Sequence, residues 1–164
     1  MQIEPTTLDG VLVLTPRRHG DARGFFAETY NRDVVAAQGL DLPPLREEAS
    51  WRLSPTGAKT SLIYQALPSA RGQLLRCARG AVRVTVAEGR IGAADYGALI
   101  DVTLSVADGR QLWVPAGRPV GWEALEDDSE IVSNATEMFD PALQQTVPRD
   151  LSGWTEPFTA EVSA

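Results

Sequence analysis

The sequence predicts an all-β fold, an antiparallel barrel or sandwich built from short strands. Apolar-alternating segments recur along the chain and are separated by Gly, Pro and Asp, which is the pattern of strands joined by tight turns. Turn-forming sequences such as SPTG at 54–57 and PAGRP at 115–119 fall between these segments. With 164 residues, 43% of them apolar, the chain has the size of one domain with its own core. We therefore expect a single domain over residues 1–164, with a tail at 155–164 that lacks periodicity.

Nine segments have the alternation or the β-branched content of strands. In chain order they are 11–15 (VLVLT), 47–53 (EEASWRL), 60–65 (TSLIYQ), 73–78 (QLLRCA), 81–87 (AVRVTVA), 98–105 (ALIDVTLS), 110–114 (RQLWV), 121–125 (GWEAL) and 131–136 (IVSNAT). A short helix is predicted over 31–38, because Asn31 is a good N-cap before DVVAAQ and Gly39 follows as a stop signal.

Composition excludes several classes of function. A net charge of -7 and a pI near 4.7 repel a phosphate backbone, so we expect no nucleic-acid partner. An uncharged apolar run of about 18 residues is absent, as is a leader pattern, so we expect a cytoplasmic protein without a membrane partner. Cys77 is the one cysteine, which rules out an intrachain disulfide and is typical of a buried strand thiol.

Four segments resemble the dTDP-4-dehydrorhamnose 3,5-epimerases. GDARGFFAETYN at 20–31 is similar to their D-x-R-G-x-F-x-E segment, and ARGQLLRCARGAVRVTV at 70–86 to their A-x-G-K-L-V-R-C strand pair. SVADGRQLWVPAGRPVGWEAL at 105–125 resembles S-x-x-N-x-R-Q-L-W-I-P-x-G-F-A-H-G-F, and EIVSNATEMFDP at 130–141 resembles E-F-L-Y-K-x-T-x-Y-Y-x-P. The resemblance implies a cupin-like antiparallel β-barrel, or jelly roll, with one or two short helices. It also implies a homodimer, since family members exchange N-terminal strands and the segment 25–30 keeps the matching apolar spacing.

The positions that carry the family's chemistry differ in this chain. Such enzymes remove and return protons beside the C4 ketone of a 6-deoxy-4-keto hexose, which requires a base and an acid. The resemblance implies a His base where Ile63 stands and a Tyr acid where Ser133 stands. A Lys that polarises the substrate oxygen is replaced by Gln73, and a second His by Val120. We therefore expect that ordinary 3,5-epimerisation is lost.

The opposite end of the family site is retained. Arg23, Phe25 and Glu28 match the segment that helps to hold the nucleotide in the family. An alternative of equal weight is that this segment stabilises an N-terminal strand and the subunit interface.

Alternation puts Glu47, Ala49 and Trp51 on one strand face, and the resemblance implies that this face and the positions matching the family's site point into the barrel. The predicted substrate-binding lining is Trp51, Ile63, Gln73, Val120, Trp122 and Ser133, with Glu47 beside it. Glu47 is the one carboxylate of this set and hence the candidate catalytic acid or base, although a solvated residue in the REE run is the simpler alternative. His19 is the single histidine, so the three-histidine metal site of many cupins is excluded, and we expect neither metal nor cofactor.

Three hypotheses for function follow. The first is an isomerase or cyclase of natural-product metabolism that binds a small organic molecule in the barrel and works largely by holding it in one reactive shape. The second is a sugar-nucleotide epimerase or ketoisomerase that uses rearranged residues such as Glu47 or Asp150. The third is a non-catalytic binding subunit.

Overall fold

The structure is a computed structural model that describes residues 1–90 and 93–152. The strands are β1 (Gln2–Pro5), β2 (Leu12–Thr15), β3 (Arg18–Asp21), β4 (Gly24–Ala27), β5 (Glu47–Leu53), β6 (Leu62–Gln65), β7 (Gln73–Arg79), β8 (Ala81–Ala87), β9 (Leu99–Ser105), β10 (Gln111–Val114), β11 (Val120–Ala124), β12 (Ser129–Ala135) and β13 (Gln144–Val147). The helix among the described residues is α1 (Arg32–Ala36). The tail at 155–164 lies outside the described residues.

Two antiparallel sheets form the body of the domain. One contains six strands in the order β1-β2-β10-β7-β12-β5, and the other contains five in the order β13-β6-β11-β8-β9. Apolar side chains from both sheets meet in one buried cluster that includes Leu75, Val84, Leu112, Trp122 and Ile131. The expected all-β, jelly-roll fold class is confirmed.

Strand register fixes which side chains of the first sheet face the second. Along β5 the burial alternates, so that Glu47, Ala49 and Trp51 are the less exposed residues. Strand β12 lies between β5 and β7, and Ser133 is aligned with Ala49 on one side and Leu75 on the other. In the second sheet, Ile63 of β6 is aligned with Val120 of β11. These registers bring the predicted lining positions of both sheets toward one region of the interior.

The outer face of the six-stranded sheet is covered by α1 and the chain that follows it. The Asn31 side-chain oxygen accepts from the backbone N–H of Asp33 and of Val34 at 3.0 and 3.3 Å, so the predicted N-cap is confirmed. Val35 packs with Trp113 and other apolar residues in a second buried cluster on this face. The helix is shorter than predicted, since it ends at Ala36.

Four strands were missed by the sequence prediction. Strands β3 and β4 form a separate hairpin in which seven of the eight residues are exposed, so no buried face imposes an alternating pattern. His19 lies within β3. Strands β1 and β13 lie at sheet edges and are mostly exposed. In such short and mostly exposed strands, too few side chains are buried to impose an alternating pattern.

A largely buried ionic cluster joins the loop after β8 to the loop before β11. The Glu88 carboxylate accepts hydrogen bonds from the Arg90 amide, from the Arg90 guanidinium and from Arg118 Nε, at 2.8–3.1 Å. Arg118 also donates to the backbone carbonyl of Asp9. Both Glu88 and Arg118 are almost completely inaccessible to solvent. Because each buried charge has a partner of opposite sign, the cluster satisfies the requirement for burying ionic groups.

Candidate functional site

A small cavity opens at one end of the barrel, where β5 and β7 begin and β6 ends. Its volume is about 30 Å³. The lining residues are Trp51, Ile63, Tyr64, Gln65, Arg71, Gln73, Phe139 and Gln144. Three of the predicted lining residues, Trp51, Ile63 and Gln73, are therefore in the cavity wall.

Glu47 is next to the cavity and is paired with Arg71. The Arg71 Nη1 atom lies 3.0 Å from Glu47 Oε1, and the two side chains are 7% and 16% exposed. The other carboxylate oxygen, Oε2, accepts a hydrogen bond from the backbone N–H of Phe139 at 2.6 Å. Glu47 is thus a fixed, largely buried carboxylate, and the alternative of a freely solvated residue is wrong.

Arg71 and Glu47 are close enough for an ion pair, but Arg71 Nη1 does not form a hydrogen bond with the carboxylate. Although Nη1 is close to Glu47, it makes no hydrogen bond of acceptable geometry with any described residue, and it is buried. The Arg71 guanidinium lies 5.9 Å from the centre of the Phe139 ring, a distance at which cation–π attraction operates. Phe139 is 49% exposed, whereas Arg71 is buried beneath it. Phe139 therefore lies between Arg71 and solvent.

Gln73 and Ser133 form a neutral polar pair that reaches into the cavity wall. The Ser133 hydroxyl donates to Gln73 Oε1 at 2.9 Å, and both residues are buried. This bond uses the amide oxygen of Gln73, so the amide nitrogen is its remaining donor. The predicted grouping of these two residues is consistent with the register of β7 and β12.

Val120 and Trp122 belong to the core behind the cavity and do not line it. Both are fully buried, and the Trp122 ring lies 4.9 Å from the Trp51 ring at an interplanar angle of 52°. The prediction that they line the cavity is wrong, because the Trp51 indole stands in front of Trp122. Trp122 Nε1 is buried without a hydrogen-bond partner among the described residues.

Gln65 fixes the rim of the cavity and was missed by the sequence analysis. Its amide nitrogen donates to the carbonyls of Ser69 and Met138 at 2.6 and 3.0 Å, and its oxygen accepts from the Asp140 N–H at 2.9 Å. One side chain thereby holds the loop after β6 against the loop after β12. The sequence shows only a Gln at the end of the predicted strand 60–65, and its burial, which requires hydrogen-bond partners, is visible only in the structure.

The predicted nucleotide-binding residues lie apart from the cavity, on and after the β3–β4 hairpin. Arg23 is exposed and paired with Asp21 at 2.6 Å, and Glu28 is exposed. Phe25 is 60% exposed, with the Arg18 guanidinium 4.5 Å from its ring centre. The structure does not bring these three residues to the barrel mouth within one chain.

Other groups offer little alternative chemistry near the cavity. His19 is exposed on β3, and Asp150 is exposed and accepts a hydrogen bond from the Ser152 N–H. Over residues 1–90 and 93–152, no three His, Cys, Asp or Glu residues come together as metal ligands. A search of the same residues finds no helix with the length and apolar character needed to cross a membrane.

Comparison with known proteins places the chain in a family. A model of the dTDP-4-dehydrorhamnose 3,5-epimerases matches residues 5–153. The chain belongs to the dTDP-4-dehydrorhamnose 3,5-epimerase family. It is 33% identical over 140 residues to such an epimerase from Shigella flexneri, covering 85% of this chain and 76% of the relative. It is 32% identical over 136 residues to one from Sinorhizobium fredii, covering 83% and 69%.

A solved structure of this epimerase family has the same fold. The dTDP-6-deoxy-D-glucose-3,5-epimerase of Legionella pneumophila, solved in complex with dTDP-4-keto-L-rhamnose, superimposes with a TM-score of 0.84 at 25% identity. The match covers 93% of this chain and 82% of that one.

Membership of the dTDP-4-dehydrorhamnose 3,5-epimerase family corrects the expected function. The sequence analysis placed the chain outside the ordinary 3,5-epimerases, as an isomerase or cyclase of natural-product metabolism. That expectation is wrong, because the family model and the relatives described above are sugar-nucleotide epimerases. Differences at single positions such as Ile63 do not outweigh the similarity along residues 5–153.

Proposed function

We propose that this protein is a dTDP-4-dehydrorhamnose 3,5-epimerase, which inverts the carbons on either side of the C4 ketone of a dTDP-linked 6-deoxy-4-keto hexose. The observation that carries this proposal is the family match over residues 5–153. The sugar nucleotide bound to the Legionella pneumophila relative indicates the substrate class.

The chemistry needs a base for a proton on a carbon next to a ketone. When that proton is removed, the electron pair of the C–H bond moves toward the C4 oxygen and an enolate forms. A proton from solvent water is then added to that carbon from the opposite face, the proton taken by the base exchanges with solvent, and the configuration is inverted. Ile63 has no group that accepts a proton, so we assign the base to Glu47, the carboxylate paired with Arg71 at the cavity.

The developing charge on the C4 oxygen needs a donor. Gln73 lines the cavity, and its oxygen is already used by Ser133, so its amide nitrogen is oriented as a donor by that bond. A donor that is held in place before the reaction stabilises an oxyanion without the cost of reorienting solvent. Trp51 and Ile63 supply the apolar wall that fixes the ring plane.

The proposal is tested by solvent exchange. The purified protein is incubated with dTDP-4-keto-6-deoxyglucose in D₂O, and deuterium at C3 and C5 is followed by NMR and mass spectrometry. Enzyme-dependent incorporation at both carbons is expected. No incorporation above the rate without enzyme, in a sample that is folded and binds dTDP, would overturn the proposal.

We also propose a homodimer joined through the β3–β4 hairpin. Phe25 and Phe26 are 60% and 67% exposed on the two faces of this hairpin, and large exposed apolar side chains are typical of an interface. The β3–β4 hairpin holds Arg23 away from the cavity of its own chain. This supports the proposal that Arg23 contributes to the site of a second copy. Light scattering is expected to give twice the chain mass of 17.7 kDa. A monomeric mass at micromolar concentration contradicts the dimer.

A further inference from the structure

Arg71 is the one Lys, Arg or His among the described residues that line the cavity. It belongs to the loop just before β7 and is fixed by its neighbours in sequence, since the Gly72 N–H donates to Thr136 Oγ1 at 3.0 Å. The side chain is 7% exposed, so the charge is largely withdrawn from solvent. A buried cation of this kind is stable only beside an anion.

Glu47 is the anion beside Arg71 in the absence of substrate, but the pair is not fully formed. Arg71 Nη1 is 3.0 Å from the carboxylate and yet has no hydrogen bond of acceptable geometry. A guanidinium has five N–H donors and binds anions best when two of them are engaged in parallel. The structure therefore leaves Arg71 with donor capacity that a stronger anion can take.

The cavity in this state is too small for a hexose. Its volume of about 30 Å³ is far below that of ligand pockets, which is about 300–1,000 Å³. Phe139 covers Arg71 from outside, and its backbone N–H is bonded to Glu47. Arg71 and Phe139 therefore both close the mouth and bind the Glu47 carboxylate. Movement of these two residues would open the mouth and release the carboxylate at the same time.

We propose that the diphosphate of the substrate displaces Glu47 from Arg71, and that this exchange opens the barrel mouth and frees the Glu47 carboxylate to take the proton. The inference rests on the proposed function, because it assigns the role of base to Glu47. A sugar placed for proton removal by Glu47 lies in the barrel, and its diphosphate then lies toward the mouth beside Arg71. A diphosphate carries more charge than one carboxylate and accepts two parallel N–H bonds, which favours the exchange. In the resting protein the same pair keeps the base occupied.

The exchange makes opposite predictions for its two residues. Replacing Arg71 by Met removes the cation, so affinity for dTDP should fall by about 10-fold to 100-fold, the usual effect of losing a hydrogen bond to a charged group. Affinity for thymidine, which has no phosphate, should be unchanged. Replacing Glu47 by Gln removes the competitor, so dTDP should bind more tightly than to the wild-type protein. A merely structural pair gives no such gain, because breaking it weakens binding in both variants.

The test is calorimetric titration of dTDP and of thymidine into the wild type, Arg71→Met, Arg71→Lys and Glu47→Gln. Arg79→Met is the matched control, since Arg79 is exposed at the far end of β7. Thermal melts establish that each variant is folded, and Arg71→Lys should retain part of the affinity. If Arg71→Met is unstable, the comparison of Glu47→Gln with the wild type still shows whether Glu47 competes with dTDP for Arg71. Equal dTDP affinity in the wild type and Glu47→Gln, or in the wild type and Arg71→Met, overturns the inference.

These outcomes are independent of turnover. If deuterium enters the sugar but dTDP affinity does not depend on Arg71, the proposed function stands and the exchange is wrong. If dTDP binding follows the predicted pattern and no deuterium enters, the exchange of anions at Arg71 stands and the proposed reaction is wrong.

Discussion

The buried cluster around Glu88 gives the sharpest prediction about stability. Replacing Glu88 by Gln keeps the shape of the side chain but removes the one carboxylate that is paired with both Arg90 and Arg118. Arg118 is 2% exposed and cannot recover solvation without local unfolding. Loss of one partner from a buried ion pair costs about 3–5 kcal/mol of unfolding free energy. For a chain of this size that lowers Tm by about 6–20 °C, at about 2–4 °C per kcal/mol.

The matched control is Glu123→Gln on β11. Glu123 pairs with Arg83 at 3.1 Å, but the Arg83 side chain is 42% exposed, so this pair resembles a surface salt bridge. Its loss should cost about 0–1 kcal/mol. Urea denaturation of both variants at pH 7 measures the difference. A cost for Glu88→Gln within 1 kcal/mol of the control would refute the argument that burial makes the Glu88 cluster the stronger element.

The same cluster predicts the dependence of stability on pH. Burial alone raises the pKa of Glu88, but hydrogen bonds from Arg90 and the charge of Arg118 outweigh it and hold the pKa below its ordinary value of 4.5. A carboxylate with a lowered pKa contributes stability above its unfolded-state pKa, and loses it as pH falls through the folded-state pKa. The gap in stability between wild type and Glu88→Gln should therefore be constant near neutral pH and narrow below pH 4.5. A gap that widens in acid contradicts this sign.

Three further predictions concern the core. Trp122→Ala should cost about 3–5 kcal/mol in urea denaturation because it empties a fully buried site, whereas Trp122→Phe should cost less, since the indole N–H has no described partner to lose. Gly121→Ala should destabilise by about 1–3 kcal/mol, since its Cβ would lie 2.6 Å from the Ser61 carbonyl oxygen, and a cost near zero in the same assay contradicts that contact. Cys77 should react with a thiol reagent far more slowly in the folded protein than in urea, because burial raises its thiol pKa and the Sγ donates to backbone carbonyls. Equal rates contradict this expectation.

Much of the fold was predictable because a strand with one buried face alternates in sequence and a more fully buried strand is rich in β-branched residues. Strands β5 and β8 have the bounds that the sequence predicted, and both show clear alternation or a β-branched run. The β3–β4 hairpin was not predictable in this way, since almost every side chain in it is exposed and no pattern of burial is imposed. Strand β13 pairs only with β6 and reads as the polar sequence QQTV.

The candidate site was predictable where strand alternation applies and not elsewhere. Trp51, Ile63 and Gln73 lie in strands whose inward face follows from the sequence, and they do line the cavity. Arg71 and Phe139 lie in loops, where no periodicity tells which way a side chain points. Arg71 stands inside a segment already recognised by its similarity to the family, but its pairing with Glu47 depends on the tertiary fold.

The measurement that tests the account most directly compares Glu47→Gln with Glu48→Gln in the deuterium exchange assay. The two residues are neighbours on β5, but Glu48 is on the exposed face, where it accepts from Asn134 at 2.8 Å. Glu47→Gln should slow deuterium incorporation by about 100-fold or more, the usual contribution of a positioned acid or base, while Glu48→Gln keeps the wild-type rate. Equal rates for wild type and Glu47→Gln, with dTDP binding intact, would show that Glu47 is not the base.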